Sequence, residues 1–260
     1  MGVFDSGVGG LTVLRALMAR LPGERTVYLG DTARVPYGTK SADVVTRYSV
    51  RNAELLLKHD IKLLVVACNT ASAVAMPALA QKLEIPVLGV IEPGARAAAA
   101  RSRSGRVGVI GTQGTVRSGA YQRALEAERP GVAVTARACP LFVPLAEEGW
   151  TTGDVPLMVA RRYLAELAAA EVDTLVLGCT HYPLLRGVIA EAVGPEVALV
   201  DSAEATAEAV AALLETRGAL NGDPNPEHRY FLTDVPGHFA DVAARFLGKR
   251  VESVEQVDIA

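Results

Sequence analysis

An α/β fold of two similar lobes with mainly parallel sheets is predicted by three features of the sequence. Short continuous apolar runs alternate with segments of helical periodicity, the pattern of strands covered on both faces and joined by helices. Two of these runs end on a cysteine followed by polar residues that suit a helix start: residues 63–72, LLVVACNTAS, and residues 174–183, TLVLGCTHYP. Their flanks repeat as well. Residues 2–10 (GVFDSGVGG) have a partner at 108–115 (GVIGTQGT), and 86–91 (PVLGVI) have one at 197–201 (VALVD), at nearly constant spacing. A duplicated unit folded back on itself, with pseudo-two-fold symmetry, sets Cys68 and Cys179 on opposite walls of one cleft.

Taken in order, residues 3–5 form a short strand. Residues 11–21 form a helix, with Leu11, Leu14, Leu17, Met18 and Leu21 at helical spacing. Between them lies a glycine loop. With Asp31 following a second strand at 26–30, that loop imitates a dinucleotide-binding fingerprint, but G-x-G-x-x-G wants a small third residue where Thr12 stands. A nucleotide-binding domain with structural cysteines therefore stays as an alternative. A Pro/Gly loop at 35–38 leads to a helix at 43–59, the first cysteine strand at 63–67, and a helix from Asn69 to about Leu83. A strand at 87–90, a helix opened by Glu92 and Pro93, and a solvated basic connection at 101–106 complete this half.

The second half repeats the scheme: a strand at 107–110, a helix at 116–128 and a strand at 132–137. Cys139 follows, has no counterpart in the first half, and reads as a buried structural thiol. Glu147 and Glu148 lie in a short segment at 144–149. Residues 153–170 are the longest helical stretch, with Val155, Met158, Val159, Tyr163, Leu164 and Leu167 as its core stripe. After the second cysteine strand come a strand at 197–201, a helix to about Arg217, a polar loop at 221–226, a strand at 229–233, a helix to Leu247 and a final strand near 251–254.

Composition excludes several functions. The chain has 260 residues, half of them hydrophobic, and a net charge of −3, with neither the basic patch of a nucleic-acid binder nor that of a protein on an anionic membrane. No leader pattern and no membrane-length apolar run is visible, so a cytoplasmic location is expected. An odd number of cysteines, three, makes no disulfide framework and suits free thiols. The lysines are Lys40, Lys58, Lys62, Lys82 and Lys249, none well placed to hold pyridoxal phosphate as a Schiff base, so no cofactor is expected. Cys179 and His181 are too few and too tightly spaced for zinc, and no metal is expected.

The chemistry lies in the cysteines. At the C-terminal edge of a parallel sheet each thiol faces the ligand crevice, where a helix start lowers a thiol's pKa. Two acid–base groups on opposite sides suit removal of a proton from one face of a tetrahedral carbon and its return to the other. His181, two residues past Cys179, suits a proton-transfer partner.

FDSGVGG at 4–10, VPYG at 35–38, ACNTAS at 67–72, GT-x-GT at 111–115 and GCTHYP at 178–183 together resemble the cofactor-independent aspartate/glutamate racemases, and glutamate racemases within them. The resemblance covers nearly the whole chain. It implies that Cys68 and Cys179 exchange the α-proton, Asp5 assisting the first and Glu147 with His181 the second. It implies that Asp5, Ser6, Pro36, Tyr37, Gly38, Asn69, Thr70, Thr112, Thr115, Thr180 and His181 hold the amino acid, the threonines and Asn69 taking its carboxylates. It assigns residues 1–92 with 206–260 to the first lobe and 93–205 to the second. It also implies a role in supplying D-glutamate for peptidoglycan. The expected partner is a small amino-acid substrate; a homodimer is compatible, and neither nucleic acid nor membrane is expected. Aspartate racemases, the neighbouring alternative, carry His where this chain has Ser72 and Glu where it has His181.

Overall fold

The computed structural model describes every residue except Pro236, His238, Glu252 and Ala260. The first half contains β1 (Gly2–Asp5), α1 (Leu11–Arg20), β2 (Thr26–Gly30), α2 (Ala42–Leu57), β3 (Leu64–Val66), α3 (Asn69–Val74), α4 (Met76–Lys82) and β4 (Val87–Gly89). Next come α5 (Ile91–Arg101), β5 (Arg106–Gly111), α6 (Gln113–Ser118), α7 (Ala120–Glu128), β6 (Ala133–Ala138), α8 (Phe142–Glu147), α9 (Asp154–Ala169), β7 (Thr174–Gly178), α10 (Arg186–Val193) and β8 (Ala198–Asp201). The chain closes with α11 (Ser202–Thr216), β9 (His228–Leu232), α12 (Phe239–Leu247) and β10 (Glu255–Gln256).

Two parallel sheets result, and they repeat one another. The larger runs β10-β9-β2-β1-β3-β4 and the smaller β6-β5-β7-β8, so the order 2-1-3-4 occurs in both. The strands feeding the two cysteines, β3 and β7, therefore occupy equivalent places, each beside the strand that opens its half. Late in the chain, β9 pairs with β2 and extends the larger sheet. Both faces of each sheet are covered, and Val65, Val66, Val176 and Leu177 are inaccessible to solvent.

Local chemistry accounts for the differences from the sequence reading. The helix expected over 69–83 is two helices, interrupted at Ala75 just before Pro77, whose ring nitrogen has no hydrogen to donate to the turn before it. The helix expected over 116–128 starts earlier, where the Thr112 side chain caps α6 by accepting from Thr115 N, and is divided by Gly119 at φ +65. On α9 the core face is Pro156, Ala160, Leu164 and Leu167. Val155 and Met158 point outward, 44% and 66% exposed, since they lie off the face that buries Pro156, Ala160, Leu164 and Leu167. The last strand is Glu255–Gln256, beyond the expected 251–254, a stretch that includes Glu252, outside the described residues. Among the described residues no helix is long and apolar enough to cross a membrane.

Candidate active site

The C-terminal edges of β1, β3 and β7 meet at a cavity of about 70 Å³ between the sheets. From the first half it is lined by Ser6, Gly7, the 35–38 loop, Cys68, Asn69 and Thr70; from the second by Thr112, Val143, Glu147, Cys179, Thr180 and His181. Both cysteines thus border one space from different sheets, each almost fully buried and each a free thiol. Larger hollows, such as one between α1 and α11, contain neither cysteine.

Each thiol has its own acid–base surroundings. Cys68 follows β3 and donates through its Sγ to Ser6 Oγ at 3.5 Å. Beneath it Asp5 is 1% exposed; its Oδ2 accepts from Gly7 N at 3.0 Å, and its Oδ1 has no partner among the described residues. Burial raises the Asp5 pKa above the ordinary carboxylate range, countered in part by His181 and by backbone N–H groups. Burial, and then Asp5, push the Cys68 thiol up to about 12. The helix start alone predicts a shift toward neutrality, but α3 is a short helix, and desolvation of a fully enclosed thiolate outweighs it.

Cys179 follows β7, with its Sγ 3.9 Å from His181 Nδ1, while His181 Nε2 lies 2.8 Å from Glu147 Oε1. Burial disfavours charge on His181, but the hydrogen bonds with Cys179 and Glu147 prevail and hold it at about 10. Edge contact of its ring with Phe246 of α12, centroids 5.0 Å apart, fixes the remaining side. A carboxylate, an imidazole and a thiol in sequence form a path along which a proton can move.

The sequence-predicted residues gather here with two exceptions. Asp5 lies under the cavity floor rather than on its wall. Thr115 is set back, its hydroxyl shared with Thr70 at 3.3 Å and Thr112 at 3.1 Å, while Thr70 and Thr112 are 2.9 Å apart. The threonines expected to hold carboxylates therefore also bond one another across the cleft. Ser72 does not reach the cavity: its Oγ donates to Val66 O at 2.8 Å and accepts from Val90 N at 3.2 Å, tying β3 to β4. Asp31 is fully buried and accepts from Tyr37, from Arg34 at 2.9 Å and from Thr233 at 3.0 Å, so it is not free for a ribose. Cys139 is buried away from the wall, as expected of a structural thiol.

Gly7, Val35 and Val143 line the cavity without having been named as site residues: Gly7 and Val35 stand inside quoted motifs and Val143 outside them, and none carries a chemical signal of its own. Gly9 has a definite reason to be glycine. A Cβ built there would overlap Thr180 Oγ1 and the His181 ring of the opposite half. Gly9→Ala is therefore expected to displace His181 and lower kcat/KM by roughly 10²-fold, the usual scale for a misplacement of about 1 Å. Steady-state kinetics with a thermal melt separates this from unfolding.

The chain is similar along its length to known proteins. Residues 11–210 match the family model for Asp/Glu/hydantoin racemases. The chain is 62% identical to a glutamate racemase of Geobacter metallireducens, over 100% of this chain and 96% of that protein. It superposes on a glutamate racemase isoform from Bacillus anthracis with a TM-score of 0.94 at 41% identity, covering 99% of this chain and 97% of that one. The crystal structure of the Francisella tularensis glutamate racemase in complex with D-glutamate gives a TM-score of 0.93 at 37% identity, covering 99% and 97%. With both cysteine segments inside the matched stretch, the chain belongs to the Asp/Glu/hydantoin racemase family.

Proposed function

We propose that this protein interconverts L- and D-glutamate without a cofactor, by proton transfer at the α-carbon between Cys68 and Cys179. The observation that carries the reading is the pair of free thiols, one from each sheet, on the same small cavity. One cysteine, as thiolate, takes the α-proton from one enantiomer while the other, as thiol, donates to the opposite face; the roles exchange in reverse. Cys68, held protonated by burial, gives up its proton with the neighbouring carboxylate of Asp5 as acceptor, and the ammonium group of an arriving amino acid eases the build-up of negative charge there. On the other side His181, backed by Glu147, passes protons to and from Cys179. Asn69, Thr70, Thr112 and Thr180 offer the carboxylates donors, with Thr115 behind them; Ser6, Pro36, Tyr37 and Gly38 complete the pocket.

In the cell the reaction would supply D-glutamate for peptidoglycan, in the cytoplasm. Division of the chain into 1–92 with 206–260 and 93–205 agrees with the two sheets, since β9 returns to the larger one. A homodimer has a ready surface in the α8–α9 segment, where Leu141, Trp150, Val155 and Met158 are exposed. Light scattering on the purified protein tests that assembly.

The test of the activity is circular dichroism of purified protein with D- or L-glutamate and no added cofactor. Loss of signal toward zero from either enantiomer supports the reading; a stable signal from both contradicts it. Aspartate provides the second arm. Ser72 and His181 follow the glutamate pattern, and relatives of 62% and 41% identity carry that name. One methylene in an apolar slot is worth only ~1–3 kcal/mol, but a misplaced side-chain carboxylate leaves buried donors unpaired. We expect kcat/KM for glutamate to exceed that for aspartate by at least about 10²-fold. Comparable values would transfer the assignment to an aspartate racemase.

A further inference from the structure

We infer that Tyr121 is a positioning residue: its hydroxyl holds the Asn69 amide with the NH₂ group turned into the cavity, where it donates to a carboxylate of the substrate. This rests on the reading of the cavity as an amino-acid site. Tyr121 stands on α7, Asn69 directly after Cys68, and the bond between them crosses from one half of the chain to the other: Tyr121 Oη donates to Asn69 Oδ1 at 2.7 Å. Both residues are nearly inaccessible, Tyr121 at 1% and Asn69 at 3%. Asn69 lines the cavity, yet its Nδ2 has no hydrogen-bond partner among the described residues. A buried amide N–H₂ without an acceptor is costly, so its presence at a wall of this site points to a ligand acceptor.

An amide can be turned about its last bond at little steric cost, and which end faces the ligand depends on its neighbours. Turned the other way, Asn69 would present a carbonyl oxygen to the substrate carboxylate and repel it. A phenol O–H directed at Oδ1 prevents that. Ser202 at the start of α11 stands close to the same hydroxyl, both next to Gly94, and crowds its far side. Gly178, immediately before Cys179, lies against the Tyr121 ring: a Cβ there would sit 2.9 Å from Cε2. The tyrosine therefore touches the backbone leading to one cysteine and orients the residue following the other.

The test is a double-mutant cycle on racemisation of both glutamate enantiomers with Tyr121→Phe, Asn69→Ala and the pair. Tyr121→Phe keeps the ring and removes only the hydroxyl. Its KM is expected to rise about tenfold, the worth of one oriented hydrogen bond, with a smaller change in kcat. In the Asn69→Ala background the same change is expected to have no further effect, because the tyrosine acts through the amide. Asn69→Asp, which keeps an acceptor for Tyr121 but puts an oxygen where the NH₂ stood, should raise KM beyond Asn69→Ala; this variant carries the test if Tyr121→Phe does not fold. An unchanged KM in Tyr121→Phe, independent effects of the two substitutions, or Asn69→Asp no worse than Asn69→Ala would overturn the inference. If wild-type protein racemises neither glutamate nor aspartate, the reading of the cavity fails and the inference with it; an active wild type with an unaffected Tyr121→Phe sinks the inference alone.

Discussion

Replacing either Cys68 or Cys179 by serine is expected to lower kcat/KM for glutamate racemisation by at least about 10³-fold, within the range that a positioned proton-transfer group contributes. Serine preserves the size of the side chain, but its hydroxyl is a far weaker acid, so the oxyanion needed as base is inaccessible. The loss must be equal in both directions. Enantiomers have equal free energy, so the ratio of forward and reverse kcat/KM is fixed at unity whichever cysteine is removed. What differs between the variants is exchange without racemisation: in D₂O, each should wash deuterium only into the enantiomer whose α-hydrogen faces the remaining thiol, and the two variants should select opposite enantiomers. Circular dichroism and proton NMR make both measurements. Activity within about tenfold of wild type in either variant would remove that cysteine from the mechanism.

The second large effect is at His181. Asparagine in its place can still hydrogen-bond but cannot carry a proton between Glu147 and Cys179, and kcat is expected to fall by about 10²-fold or more. The ionisation of His181 also makes a stability prediction. Its pKa in the folded protein is raised to about 10, against an ordinary value of 6.5. The stabilisation is thus fully present below the unfolded value and is lost as pH rises through the folded one. Between pH 6.5 and 10 the Tm of wild type should decline more steeply than that of His181→Asn. Equal slopes would show that the imidazole is not held as a cation by Glu147 and Cys179.

How far the sequence revealed this molecule depends on the kind of signal each part carries. The two cysteine strands, their flanking helices and the duplication were legible because buried parallel strands are written as apolar runs and the polar residues after them mark helix starts. The repeated strand order in the two sheets follows from that duplication. Helix interruptions at Ala75 and Gly119 were missed: one depends on a proline two residues later, the other on a single left-handed residue. The outward-facing Val155 and Met158 show the limit of periodicity, which finds an apolar stripe but not which residues the sheet accepts. At the site, chemically reactive residues were visible and their supports were not. Tyr121 lies 52 residues from the asparagine it orients, with no local mark of that role. The raised pKa of Cys68 was also hidden, since desolvation depends on everything that encloses the thiol.

Racemisation of α-protiated glutamate in D₂O, sampled at low conversion from each enantiomer in turn, tests the two-thiol account most directly. With one thiol on each face, the hydrogen removed is held by one sulfur while the hydrogen delivered comes from the other, which has equilibrated with solvent. The product enantiomer is therefore expected to carry deuterium at Cα from the first turnovers, while unreacted substrate keeps its protium, in both directions and with no cofactor added. Protium carried over into product, or deuterium appearing equally in both enantiomers from the start, would mean that one group serves both faces, and would contradict the assignment of Cys68 and Cys179 as opposed acid and base.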